Sequence, residues 1–227
     1  WLQKGPNPNV DEVFWIRPSL LKSHGWGENL KPYTLADGQK VLDSMQLDLY
    51  PSANQKAIIT KNTHVRAVPS MLPKFSKRDG YPFDRWQNSL IFSGTPVLIT
   101  HYDSSRRFAH IESAFVYGWV EAQDVATLRD ADVKQIMSWG SYITPNRDKI
   151  ALLDSKKHFV TQARIGQIFA LKAKVGDFYE IYNIVRQDDG RAKIHTLKVK
   201  KQDFIPFPSE LDQALVADFL TQLMGRP

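Results

Sequence analysis

The sequence predicts a mainly β protein built from two consecutive small barrels. An irregular, short-helical segment precedes them and an amphipathic helix follows. Three observations carry this. Short β-prone runs recur at about ten-residue spacing with tight turns between them. The pattern then repeats, placing one barrel at 55–128 and a second at 140–207. Apolar residues spaced by four, as on one face of a helix, recur through the last twenty residues.

The first 54 residues are rich in turn formers, starting with Gly5-Pro6-Asn7-Pro8-Asn9. Val13, Phe14, Trp15 and Ile16 form a short apolar cluster that Pro18 should stop. Thr34 and Asp37 have the spacing of a helix cap and its acidic partner, and Leu35, Val41, Leu42 and Met45 would line one face of that helix. So few apolar residues cannot make a separate core, so residues 1–54 are expected to lie as a clip across the domain that follows.

Ala57–Thr60 and His64–Val68 are the first strand candidates, ended by Pro69. Residues 70–89 then read as a long loop full of Pro, Gly and charge, yet carrying Phe75, Tyr81, Phe83 and Trp86. A loop of that length is functional or disordered, and four aromatic rings favour one that packs on itself. Strand candidates follow at Pro96–His101, Phe108–Ser113 and Tyr117–Val120, with a short helical or 3₁₀ exit at Asp124–Leu128.

In the second barrel, Ser141–Thr144, Lys149–Leu153, His158–Arg164, Ile168–Ala173, Phe178–Arg186 and Arg191–Val199 are the candidates. Gln187-Asp188-Asp189-Gly190 ends in Asp-Gly, a strong hairpin signal. Phe204–Pro208 closes the unit. Residues 208–227 read as a linker helix with Ser209 as its cap, Asp212 in the capping-box position, and Leu211, Leu215, Phe219 and Leu223 spaced by four.

The 227 residues are 42% hydrophobic and 24% charged, ordinary globular values that exclude a wholly disordered or fibrous chain. No apolar run approaches the ~20 residues of a membrane-spanning helix. The chain has no cysteine, which excludes a disulfide framework, thiolate metal sites and a thiol nucleophile on this chain. It begins at Trp1, as expected for a processed or trimmed protein. The net charge is +6, and residues 154–203 hold eleven basic and six acidic residues. Such a segment is either a solvated surface or a contact for an anionic polymer.

Few residues suggest chemistry. The six histidines are scattered, and none has a metal-ligand neighbour at i+2 or i+4. Ser104 and Ser105 beside His101 are ordinary turn residues. Gly166 and Gly176 stand alone, without a phosphate-cradling loop. Neither cofactor nor metal is expected. Lys198-Val199-Lys200-Lys201, with Tyr179 and Tyr182 near, has the composition of a single-strand nucleic-acid surface, but no aromatic-glycine nucleotide motif accompanies it. The informative run is Pro82-Phe83-Asp84-Arg85-Trp86-Gln87-Asn88-Ser89. Rings, a carboxylate and amides together suit a groove that recognises a peptide; equally, Phe83 and Trp86 could staple the loop to its barrel. Trp119, in Gly118-Trp119-Val120, is either core or groove floor.

The order of these features resembles a known family. The quoted residues are Phe14-Trp15-Ile16-Arg17, Val65-Arg66-Ala67-Val68-Pro69, Tyr81-Pro82-Phe83-Asp84-Arg85-Trp86-Gln87-Asn88-Ser89, Gly94-Thr95-Pro96-Val97 and Gly118-Trp119-Val120. They resemble the N-terminal clip and first bacterial SH3 domain of NlpC/P60 cell-wall hydrolases. Tyr142-Ile143-Thr144 and Ala163-Arg164-Ile165-Gly166-Gln167-Ile168-Phe169 resemble the second SH3 domain. The resemblance makes the 70–89 loop an RT loop. It implies a role in binding the peptidoglycan stem peptide, cut at its γ-D-Glu–diaminopimelate bond, and in packing on a C-terminal catalytic domain that is absent here. Leu211–Pro227 resembles the linker helix and its Gly-x-Pro exit. The implied substrate-binding positions are Tyr81, Phe83, Asp84, Trp86, Gln87 and Trp119, with Asp84 matched by charge to a ligand amine. An exported, periplasmic or envelope location is implied, with or without a lipid anchor on a removed N-terminal segment. The alternative is a stand-alone SH3-like adaptor that binds protein or nucleic acid through its basic second barrel.

Overall fold

The computed structural model describes residues 5–22, 24–210 and 212–224. The chain is mainly β with few short helices. It forms two compact units. One runs to Leu128 and takes in Arg186–Ala192; the other holds Arg129–Val185 and the chain from Lys193 onward. The tip of a later hairpin thus belongs to the first unit.

The first unit opens with α1 (Val10–Val13) and α2 (Arg17–Leu20). Pro18 starts the second helix instead of stopping the apolar cluster, because its missing N–H costs nothing at an N-terminal position. Strand β1 (Trp26–Gly27) precedes α3 (Leu35–Met45). The expected capping box is present: the Asp37 N–H donates to Thr34 Oγ1 at 3.2 Å, and Asp37 Oδ2 accepts from the Thr34 N–H at 2.9 Å. Leu35, expected on the inner face, is exposed, while Met45 is fully buried.

Strands β2 (Gln55–Ile59), β3 (Thr63–Arg66), β4 (Lys74–Phe75), β5 (Gln87–Ile91), β6 (Pro96–Tyr102), β7 (Phe108–Glu112), β8 (Tyr117–Glu121) and β9 (Val125–Thr127) complete this unit. Seven of them form one sheet in the order β5-β3-β8-β7-β6-β2-β9, and β1 pairs with β4. The expected loop therefore contains strand β4 and runs into β5. The alternating inner residues Ala57, Ile59, Val65, Ile91, Val97, Ile99, Ala109, Ile111, Val120 and Val125 make one core. A second core joins the clip to the sheet: Val13, Phe14, Ile16, Leu20 and Met45 pack with Val68, Trp86, Phe108 and Trp119. The clip completes this second core instead of building one for itself.

The second unit starts with α4 (Asp130–Met137), for which the sequence reading had no element. Its signals are Asp130 and Asp132 in the first turn and a buried Val133–Ile136 pair. Strands β10 (Tyr142–Pro145), β11 (Ile150–Leu153), β12 (Phe159–Ala163), β13 (Phe169–Val175), β14 (Phe178–Arg186), β15 (Ala192–Lys200) and β16 (Phe204–Phe207) follow. They give a five-stranded sheet, β15-β14-β13-β10-β16, and the hairpin β11-β12. The Asp-Gly turn joins β14 to β15, with Gly190 at φ +84°. Ile143, Leu152, Ala163, Phe169, Ile181 and Phe204 lead its core.

Helix α5 (Gln213–Leu223) ends the described chain. Its cap is Asp212, which accepts from the Leu215 N–H at 2.8 Å; Ser209, expected there, instead donates to the Pro206 carbonyl. None of its residues is buried. Leu211 and the Gly225–Pro227 exit lie outside the described residues.

Candidate functional site

The RT loop is held from inside by Arg66, at the end of β3. Its side chain is 4% exposed. Nε donates to the Ser70 carbonyl at 2.9 Å, Nη2 to the Leu72 carbonyl at 3.0 Å, and Nη1 to both Gln87 Oε1 at 3.0 Å and Asp84 Oδ2. Two loop carbonyls and two loop side chains thus converge on one guanidinium, whose planar fork suits several acceptors at once.

Asp84 is engaged through both oxygens. Oδ2 meets Arg66, and Oδ1 accepts from the Lys74 N–H at 3.0 Å and the Trp86 N–H at 2.9 Å. A carboxylate with these partners organises the loop. This bears on the expectation that Asp84 meets a ligand amine, because a ligand would have to compete with Arg66 for it. Gln87 sits on the same guanidinium, and its Nε2 donates to the Ser89 carbonyl.

The six expected positions separate into two groups. Tyr81 and Phe83 are 80% and 77% exposed at the loop's outer end. Trp86 and Trp119 are 1% and 0% exposed. No ligand reaches Trp119 without unpacking the core, so it is core and not groove floor: its ring lies 5.3 Å from His110 and 6.1 Å from Phe14. Its neighbour Gly118, at φ +151°, explains the Gly-Trp-Val run. A Cβ there would stand 2.6 Å from the Arg66 carbonyl oxygen, so glycine lets β8 approach β3 where Arg66 begins its network. Trp86 packs edge-on to the clip's Tyr33 at 5.0 Å.

Sequence reasoning missed Arg66 as the organiser. Its signal was a cation inside an apolar strand run, eighteen residues before a loop carboxylate. It also missed Tyr33 and Lys74, which only the pairing of β1 with β4 brings beside Trp86.

His101 and His110 are structural. His101 Nε2 donates to the Met45 carbonyl at 2.7 Å, which leaves Nδ1 to accept from Ser52 Oγ at 2.7 Å. This pair ties the clip's end to β6. Burial lowers the pKa of His101, and pulls that of His110 down to about 3. Among the described residues no cluster of His, Asp or Glu could hold a metal, and no helix is long and apolar enough to cross a membrane.

This architecture is that of bacterial SH3 domains in tandem. Residues 73–121 match the model of an SH3 domain of SH3b1 type, and residues 130–174 match that of an SH3 domain of SH3b2 type. The chain thus carries an SH3b1–SH3b2 pair. Among solved structures it is similar to one described as a novel NlpC/P60 endopeptidase from Photobacterium damselae subsp. piscicida, with a TM-score of 0.80 and 21% identity. The match covers 94% of this chain and 48% of that one, so the chain spans about half the length of that structure. At this identity the likeness is one of fold. No curated protein matches by sequence.

Proposed function

We propose that this chain is the substrate-recognition and positioning region of an NlpC/P60-type peptidoglycan endopeptidase, binding the stem peptide and packing on a catalytic domain carried elsewhere. The observation that carries the proposal is the RT loop. Its interior is fixed by the Arg66–Asp84–Gln87 network, while Tyr81 and Phe83 stand outward without apolar cover. Rigid aromatic side chains on a braced loop give contact area at little entropic cost. In this role Tyr81 and Phe83 touch ligand, and Asp84, Gln87 and Trp86 hold the loop in place. The chemistry of cleavage at γ-D-Glu–diaminopimelate would belong to the other domain, since no cysteine is present here. The fold likeness to an NlpC/P60 endopeptidase supports this assignment. It carries with it an exported, periplasmic or envelope location.

The test is co-sedimentation with purified sacculi. Retention of the wild-type chain, and its loss in Tyr81→Ser/Phe83→Ser, is the expected result. Equal retention of the variant refutes the assignment of the loop. Absence from sacculi, together with nucleic-acid binding that weakens steeply with salt, would point instead to the basic second barrel, where Lys200 and Lys201 stand beside exposed Phe178.

A further inference from the structure

The hairpin that joins β13 to β14 carries two features that packing within its own unit does not use. The first is an apolar tip. Val175 pairs with Phe178 across the two-residue turn Gly176-Asp177, and these side chains are 46% and 41% exposed. Gly176 takes the first turn position at φ +52°, and a Cβ there would meet nothing within 4 Å. The turn therefore projects into open space with an aliphatic and an aromatic side chain at its end.

The second feature is a collar of lysines. Lys174 is exposed next to the tip, and Lys200 is exposed at the end of β15. Lys200 and Lys201 line a recess of about 470 Å³ beside the turn, together with Asp177, Phe178 and Gln202. The Lys201 N–H donates to the Asp177 carbonyl at 3.0 Å, which holds the end of β15 against the turn. Lys201 Nζ stands 5.7 Å from the Tyr179 ring centre. Lys174, Lys200 and Lys201 form no ion pair among the described residues. Of the carboxylates close by, Glu180 is taken by Lys172 at 3.2 Å, and Asp177 offsets one of the three cations.

We propose that this hairpin tip docks on an anionic phospholipid surface. Val175 and Phe178 enter the boundary between headgroups and acyl chains, while Lys174, Lys200 and Lys201 meet the headgroup phosphates. An apolar insertion and a basic patch are each weak anchors alone, and together they give reversible membrane binding. The recess puts two lysines beside the ring that would insert, so one headgroup phosphate can be held next to Phe178. A nucleic acid would suit the lysines but not the rest of the surface. Bases stack on several open rings, whereas Tyr179 is buried and Tyr182 is already stacked on Trp139 at 4.3 Å. Val175 gives a base no stacking partner. The reading uses no residue of the RT loop and does not depend on the function proposed above.

The test is co-sedimentation of the whole chain with vesicles of phosphatidylcholine, and with the same vesicles carrying about 30% phosphatidylglycerol. Binding to the anionic vesicles and not to the neutral ones is expected. Each lysine at such a surface is worth about fivefold in partitioning, so Lys174→Gln/Lys200→Gln should weaken binding by about twentyfold. Phe178→Ser removes the insertion and should weaken it by about tenfold. Lys134→Gln/Lys193→Gln removes the same charge from exposed positions away from the tip and should change little. Every substituted side chain is exposed, so none of these variants opens a core. No binding to the anionic vesicles overturns the proposal. So does an equal loss in Lys134→Gln/Lys193→Gln, which would show attraction by net charge alone, or wild-type binding by Phe178→Ser, which would show that nothing inserts. Saturable binding of a single-stranded oligonucleotide that depends on Lys174 and Lys200, without vesicle binding, would assign the patch to nucleic acid instead. Sacculus retention through Tyr81 and Phe83 is unaffected by any of these results, so the two proposals fail separately.

Discussion

Replacing Asp84 by Asn tests whether this carboxylate is the organiser of the RT loop. The change is nearly isosteric and keeps Oδ1 as an acceptor for the Lys74 and Trp86 N–H groups. It places an amide NH₂, or a neutral oxygen, against Arg66 Nη1. Arg66 would then hold only neutral acceptors: the Ser70 and Leu72 carbonyls and Gln87 Oε1. The two side chains are 4% and 15% exposed, so water makes up little of the loss. Removing one partner of a buried pair costs about 3–5 kcal/mol, and the retained backbone bonds place Asp84→Asn near the low end, at about 3 kcal/mol. That is a large share of a domain stability of about 5–15 kcal/mol. Urea unfolding followed by tryptophan fluorescence reads it directly, with an unchanged m-value marking a true stability loss. Arg66→Met/Asp84→Leu removes both charges together and should recover much of the loss, since no charge is left uncompensated. A loss below about 1 kcal/mol for Asp84→Asn would refute the organising role and return Asp84 to direct contact with a ligand amine.

Two further outcomes are expected. Phe14→Ala empties the centre of the shared clip core, where the ring lies 4.6 Å from His110 and 5.0 Å from Tyr50. A cost of about 3–5 kcal/mol, with protease cleavage appearing first within the clip, is the expected result; a stable variant with a protected clip would show that the clip is held by other contacts. Stability should also fall with acid. The folded pKa values of His101 and His110 are depressed, the latter to about 3, against about 6.5 in the unfolded chain. Their contribution is therefore complete above pH 6.5 and is lost as the pH falls toward the folded values, by roughly 1.4 kcal/mol per pH unit for His110, with His101 adding in the same direction. Urea midpoints at pH 7.5 and pH 5 check this, and a flat profile between them would contradict the buried neutral state.

Much of the local structure was legible because its determinants are neighbours in sequence. Thr34 and Asp37 cap α3 across three residues, Asp189-Gly190 makes its turn, and the alternation from Ala57 to Val125 supplies one barrel core. The aromatic loop also stood out by composition alone. The direction each loop side chain takes was not legible. Tyr81 and Phe83 turn outward while Trp86 is buried, although all three lie within six residues. The difference comes from Arg66, which draws Asp84, Gln87 and two loop carbonyls onto one guanidinium. Lys74 is a clearer case. In sequence it is one cation among thirty; in the fold, β1 lies along β4 and the clip's Tyr33 closes over it. Periodicity and capping act over a few residues, so the sequence alone determined most strands and turns and the clip's need for a host, but not β4 inside the loop or β9, which takes Val125–Thr127 where a helical or 3₁₀ exit was expected. Burial of a charge depends on segments some forty residues apart, so only the tertiary structure decided it.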